Sequence, residues 1–323
     1  MTTNGDIPLE AQAAAHLLLP HPTDRSRLVR WTGNSFDVDG KPVRVLAFAV
    51  APSGWTEELT RLHENVGGSD HFIDIASRAH AVAEAARVAG PAPSMIVEIG
   101  CSSGFLLREL MTRLPGHFFL GADYTYGTLE TLGNNLPAVP LVQFDLTQCP
   151  LPDAFADVVV LLNVLEHIDD DEVAIKEIFR IVRPGGSVII EVPAGSSLFD
   201  VYDRALLHCR RYDMPMLLAR LRKAGFQIER KSHLGFLLYP AFYLSKRLNQ
   251  LRYPADSGID EQAVISRMIK ATRESSRLSG LVMACERMMR RYMYLPFGIR
   301  CLVTCRKVAG LGGAARGGQH AAG

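Results

Sequence analysis

Between Glu98 and Gly104 the chain reads EIGCSSG, and acids follow it at telling distances. Gly100 permits a sharp turn, and Gly104 permits close approach of backbone to a ligand. A dinucleotide fingerprint of the form GxGxxG would need glycine at 100, 102 and 105, and only Gly100 is present. Without the glycine that lets backbone reach a pyrophosphate, the loop argues against a nicotinamide dinucleotide. Asp123 ends HFFLGAD at an offset suited to accepting both hydroxyls of a ribose. Asp145, with Leu146, ends VQFDL where an adenine amino group could be met, and Asn163 closes VVVLLN. A site lined this way has little to neutralise a phosphate. It suits a nucleoside that carries positive charge.

Two histidines stand where proton transfer would be useful, since imidazole titrates near neutral pH. His167 lies in LEHIDD beside Glu166. It reads either as a base or substrate-orienting residue, or as a histidine bonded to Asp169–Asp171 that helps cap the next helix. His208 lies in DRALLHCRRYD with Arg210, Arg211 and Tyr212. Those three could hold an anionic or glycan-like substrate, or form a loop ion-paired with Asp200, Asp203 and Asp213. No cysteine pair has the CxxC spacing of a zinc site, and the pattern assigns no metal.

These residues need a scaffold that brings them to one edge. Short apolar runs at Met95–Ile99, Phe118–Ala122, Leu141–Phe144, Val158–Leu162 and Val188–Val192 alternate with helical stretches at Gly104–Leu114, Gly127–Asn135 and Glu172–Val182. Continuous apolar strands covered by helices on both faces predict a mostly parallel, doubly wound α/β sheet. Leu217–Lys223 continues as helix, Phe226–Lys231 is a sixth strand, and Ile299–Val308 closes a seven-stranded sheet. In such sheets ligands sit at the carboxyl ends of the strands, which is where the acids fall.

Upstream, Ser35–Val50 reads as a hairpin turning at Asp39-Gly40. Residues 55–89 read as helix, with Ser53 as a cap candidate. The expected organisation is an N-terminal hairpin and helical cap over 1–91, a core over 92–232, a helical insertion over 233–297, the last strand over 298–309 and a disordered Gly/Ala-rich tail over 310–323.

With 48% hydrophobic and 21% charged residues, the composition of the 323-residue chain is that of a folded domain. The start lacks the basic segment of a signal peptide, and no apolar run reaches the roughly 18 residues of a membrane span. Cytoplasmic placement is the expectation. The net charge of +1 hides a split: residues 1–203 hold 13 Lys+Arg against 27 Asp+Glu, whereas residues 204–323 hold 22 against 7. The basic excess gathers in the insertion, where Met and Ile alternate with Arg267, Lys270, Arg273, Arg277, Arg287, Arg290 and Arg291. It reads as a cap over an apolar acceptor pocket, a basic amphipathic surface resting on a membrane, or a homodimer interface. The absence of an aromatic-basic RNA motif argues against nucleic acid.

Taken in order, EIGCSSG, GADY, FDLTQCPLPDAFADVVVLLNVLEHIDD and IFRIVRPGGSVIIEVP resemble the successive motifs of class I S-adenosylmethionine-dependent methyltransferases. The group most similar is the type-11/type-23 set that includes ubiquinone and menaquinone biosynthesis enzymes, and the likeness covers about 94–232. The resemblance implies a Rossmann-like methyltransferase fold with S-adenosyl-L-methionine as cofactor and a small-molecule or lipid-like acceptor, methylated foremost at oxygen. By position it implies that Glu98, Gly100, Cys101 and Gly104 surround the methionine moiety, with Asp123 at the ribose. Tyr124, Asp145 and Leu146 would then lie at the adenine, and Asn163 would line the cleft. By the same likeness His71, on the substrate side, and Trp55 close over the cofactor from the N-terminal side; the alternative is that both are packing residues. The departure is Ser102, where the family carries glycine. Serine fits if its backbone is extended or right-handed; at positive φ it costs on the order of 1 kcal/mol. Two rival readings are a nicotinamide-dependent oxidoreductase on a similar sheet and a non-catalytic partner subunit of methyltransferase type.

Overall fold

The computed structural model describes residues 17–50, 71–90, 93–254, 276–290 and 292–308. Ser53, residues 55–70 of the expected helix with Trp55, residues 255–275 and Arg291 of the insertion, and the tail lie outside them.

The core is a sheet with helices on both faces. Its strands are β5 (Val45–Ala47), β6 (Met95–Ile99), β7 (Phe118–Asp123), β8 (Leu141–Gln143), β9 (Ala156–Leu162), β10 (Val182–Pro193), β11 (Phe226–Leu234) and β12 (Arg300–Lys307). They run in the order β11-β12-β10-β9-β6-β7-β8-β5. β12 is antiparallel to both neighbours, and the remaining pairs are parallel. Val158 to Leu161 are all buried, which is why β9 has no polar alternation. After β6 the chain adds β7 and β8 on one side and β9 and β10 on the other, and this switch in strand order between the parallel strands β6 and β9 opens a cleft at their carboxyl ends.

The helices follow from local chemistry. α1 (Phe72–Val88) packs against α2 (Phe105–Arg113), and α3 is Tyr126–Asn135. α4 (Asp171–Ile181) starts where the Asp170 carboxylate accepts from the Val173 N–H at 3.1 Å. Its Ala174, Ile175, Ile178 and Ile181 recur at helical spacing and are buried. α5 (Val201–Ala205) carries a capping box from Asp200 and Asp203. α6 (Met214–Lys223) leads into β11.

The main sheet is one strand wider than expected. The hairpin forms as β3 (Phe36–Val38) and β4 (Lys41–Val43), with positive φ at Asp39 and Gly40. It joins β1 (Leu18–Pro20) and β2 (Leu28–Trp31) in a small antiparallel sheet around buried Trp31 and Phe36. The chain then leaves the hairpin because Arg44 donates to the carbonyls of Gly133, Leu136 and Val139 at the end of α3. That clamp delivers Val45–Ala47 to the edge strand β8.

The apolar stretch Leu234–Leu244 is two elements. β11 ends at Leu234, Gly235 turns at φ +79°, and α7 (Tyr239–Arg252) follows. α8 (Ser276–Met289) precedes β12. None of the described helices is long and apolar enough to cross a membrane. α7 is fastened by charge: Lys246, 5% exposed, places Nζ 2.7 Å from both Asp200 and Asp203, and Asn249 donates to Asp200 at 3.0 Å. Lys246→Met leaves two buried carboxylates short of their cation and should cost about 3–5 kcal/mol in urea unfolding. Leu251→Ser, at a residue 80% exposed on the same helix, should stay within about 0.5 kcal/mol of the parent. Equal effects from the two would contradict this role for Lys246.

Candidate active site

The glycine loop is held from beneath by β7. The N–H groups of Gly100 and Cys101 donate to the Ala122 carbonyl at 2.8 and 3.0 Å. Asp123 accepts from the backbone N–H of Ser102 and of Thr125, each at 2.9 Å. Gly104 caps α2 at φ +74°, and an added Cβ there would meet Leu132 Cδ1 at 2.5 Å. The Cys101 side chain is buried among Leu107, Leu129 and Leu141, so this residue lends the loop its backbone. Ser102 sits at φ +46°, the left-handed alternative, where its Cβ costs about 1 kcal/mol.

The acids cluster around this loop. Glu98 is 5% exposed, and its Oε2 has no hydrogen-bond partner. Burial, and then the charge of Asp123, raise its pKa well above the carboxylate range. Burial also raises Asp123, against the N–H donors of Thr125 and Ser102. A cationic ligand group would relieve both. Asp145 accepts from Thr147 N and Oγ1 at 2.8 and 2.7 Å, while Leu146 is buried in the main core. Tyr124 is half-buried, and its carbonyl accepts from Gln143 Nε2 at 3.0 Å. Asn163 adopts φ +55° at the end of β9, and its N–H reaches the Glu191 carbonyl at 2.9 Å. A left-handed residue at a strand end beside a cleft is backbone strain of the kind found at functional sites.

The two histidines meet. Their rings lie 4.8 Å apart, edge to face, because the Cys209 N–H bonds the Glu166 carbonyl at 2.7 Å and ties the two loops together. His208 Nδ1 lies 2.9 Å from Asp203 Oδ1. Burial lowers the His208 pKa, against the raising effect of that hydrogen bond. Burial would raise Asp203, but the His208 bond and the charges of Lys246 and Arg211 outweigh it and hold the carboxyl low. Glu166 is fully buried, with neither carboxylate oxygen bonded, and burial pushes it up to about 8. Glu166, His167 and His208 each offer a ligand atom within 4.8 Å of the others, a set able to hold a metal ion. The sequence reading assigned none.

Of the two readings of Arg210, Arg211 and Tyr212, substrate contact or ion-paired loop, the described contacts are those of the loop. Tyr212 is fully buried, and its hydroxyl donates to Asp171 and the Leu165 carbonyl. Arg211 is 5% exposed and spends its donors on Asp203 at 2.8 Å and the Ala194 carbonyl at 2.9 Å. Arg210 donates to the carbonyls of Ile168 and Asp169, both at 2.6 Å. Together they build the loop that presents His208. His71 precedes α1, 3.5 Å from Asp74. Asp74 and Glu191 both bind Arg300 at 2.6 Å, which docks the start of α1 onto the carboxyl end of β10. Lys246 is an orienting residue that the sequence does not single out; its one signal is a lysine just after the apolar run Leu234–Leu244.

Residues 97–190 match the family model described as a methyltransferase domain. A protein of Mycolicibacterium smegmatis named as a probable S-adenosylmethionine-dependent methyltransferase is 32% identical over 139 residues, covering 42% of this chain and 52% of its own length. The malonyl-[acyl-carrier protein] O-methyltransferase of Serratia marcescens is 27% identical over 150 residues, covering 45% and 58%. The chain thus spans about half the length of the curated relatives it matches. Among solved structures, phosphoethanolamine N-methyltransferase 2 of Haemonchus contortus, in complex with S-adenosyl-L-methionine, superposes with a TM-score of 0.52 at 15% identity, over 77% of this chain and 56% of that one. The fold is the Rossmann-like methyltransferase fold.

Asp123→Ala removes the carboxylate that accepts from Ser102 in the loop and from Thr125, and should weaken S-adenosylmethionine binding at least tenfold in calorimetry, from hydrogen bonds of roughly 1.5–3 kcal/mol. Unchanged affinity would remove Asp123 from the cofactor site.

Proposed function

We propose that this chain, which carries a class I S-adenosylmethionine-dependent methyltransferase domain, transfers a methyl group to oxygen on a small-molecule or lipid-like acceptor. The observation behind the choice of oxygen is the buried Asp203–His208 pair with His167 against it. A hydroxyl must lose its proton to attack, and this pair can take it. The relative named as an O-methyltransferase is consistent with that choice.

The residues fit the cofactor. Glu98, with its orphaned oxygen, suits the ammonium of the methionine moiety. Asp123 suits the ribose, Tyr124, Asp145 and Leu146 the adenine, and Asn163 the cleft wall. When bound, S-adenosylmethionine supplies a methyl group on a sulfonium, an already activated carbon. The protein's task is then to align a nucleophile with that carbon, which contributes many kcal/mol when the geometry is right.

In this reading Asp203 accepts the Nδ1–H of His208 and so leaves Nε2 as the base. The acceptor hydroxyl gives its proton to Nε2, and its oxygen attacks the methyl carbon. His167 orients the acceptor from the adjoining loop, and His71 approaches from the start of α1. Lys246 connects the insertion to this machinery through Asp203, which favours a cap over the acceptor.

The sign of the pH dependence follows. His208 acts in its neutral form, and burial lowers its pKa below 6.5. The active form therefore persists below pH 6.5, and the acid limb of the rate falls there.

The test is tritiated S-adenosylmethionine with host-cell extract, followed by identification of the labelled product. The expected product is O-methylated. His208→Ala should reduce labelling about 10²–10⁴-fold while calorimetric affinity for the cofactor stays unchanged. A product methylated at nitrogen or carbon, or full activity in His208→Ala, would overturn the assignment.

A further inference from the structure

A second cavity lies away from the cleft. Its volume is about 860 Å³, and it is walled by α1, β11 and the end of α8. Thr304 on its floor pairs with Ile189, midway along β10, whereas Arg300 pairs with Pro193 at the carboxyl end. The cavity therefore opens beside the middle of the sheet, below the cofactor loops.

Its charges do not balance. Glu84 is taken up by Arg230 at 2.6 Å, Arg87 at 2.9 Å and Thr304 at 2.9 Å. Glu229 is taken up by Arg87 at 3.3 Å and Arg306 at 3.7 Å. Arg287, Arg290 and Lys231 line the same cavity and enter no ion pair among the described residues. Arg290 is the telling one: its Nε and Nη1 are both buried and bonded to nothing. A guanidinium with two idle, desolvated donors lacks the partner that a planar fork is shaped to meet. The acid nearest it in sequence, Glu286, spends its carboxylate on the N–H groups of Gly235 and Leu237.

We propose that this cavity is a binding site for a phosphate-type oxyanion, held by the Arg290 fork with Arg287 and Lys231. Three cations outside any ion pair of the described residues favour a ligand of more than one negative charge, which a phosphate or pyrophosphate supplies and a lone carboxylate does not. Met288 and Met293, 65% and 54% exposed, stand on the same wall. They give an apolar carrier of the phosphate a surface to lie on. Of the insertion's cations, Arg287 and Arg290 line this cavity.

The test is calorimetry of the full chain with inorganic pyrophosphate and, separately, with octyl phosphate. One molar equivalent of at least one probe should bind. Binding of pyrophosphate identifies a free anion as sufficient, and binding of octyl phosphate alone identifies a phosphate on an apolar carrier; either supports the site. Arg290→Met should weaken binding at least tenfold, and Lys231→Met, at an exposed position, at least threefold. A thermal melt of each variant confirms that it folds, and Lys231→Met decides the question if Arg290→Met does not. Failure of both probes to bind, or affinity unchanged in the folded variants, would overturn the site.

Discussion

The buried carboxylate of Asp203 is the constraint on which the arrangement turns. It receives His208 from its own loop, Arg211 from the segment that returns to β10, and Lys246 from a helix more than forty residues downstream. A carboxylate buried to this degree survives as an anion only with cations around it. The partners that supply that charge also fix the loop, and the loop fixes the imidazole. Stability and chemistry therefore share one group here: the ion cluster that fastens α7 also sets the tautomer of a candidate base. Because Lys246 comes from the insertion, the insertion is part of the site's support.

The cofactor side obeys a different rule. Its acids are placed by the parallel sheet: Glu98 is the penultimate residue of β6, Asp123 ends β7 and Asp145 follows β8, each at the carboxyl end of a strand. Asp123 is a loop anchor as well as a ribose candidate, which links the shape of the glycine turn to the ligand it would hold. The strain at Ser102 and Asn163 falls on both sides of the same cleft. Strained backbone persists where surrounding structure over-determines it, and both residues sit in backbone hydrogen-bond networks that do so.

Much of this was legible in the sequence, for identifiable reasons. Buried parallel strands need unbroken apolar runs, so Val158–Leu162 and Val188–Val192 stood out, and the acids could be placed at their ends. His167 and His208 were visible as chemistry but not as neighbours, because the contact depends on a hydrogen bond between two loops. For Arg210, Arg211 and Tyr212 the sequence leaves two readings open, a substrate contact and a loop ion-paired with nearby acids. In the fold that segment turns inward, and carbonyls and acids from distant elements consume its donors. The eighth strand was hidden because Arg44, not apolar pattern, decides where Val45–Ala47 goes. The φ of Ser102 could only be posed as two alternatives, since serine adopts both.

The central claim is a neutral His208 whose Nδ1 carries the proton toward Asp203. Nitrogen-15 NMR of the histidine-labelled protein, titrated over pH, reads both features directly. The account predicts an Nδ1–H tautomer with Nε2 unprotonated at neutral pH, and a midpoint below the ordinary value of 6.5. An Nε2–H tautomer, or a midpoint above 6.5, would contradict it.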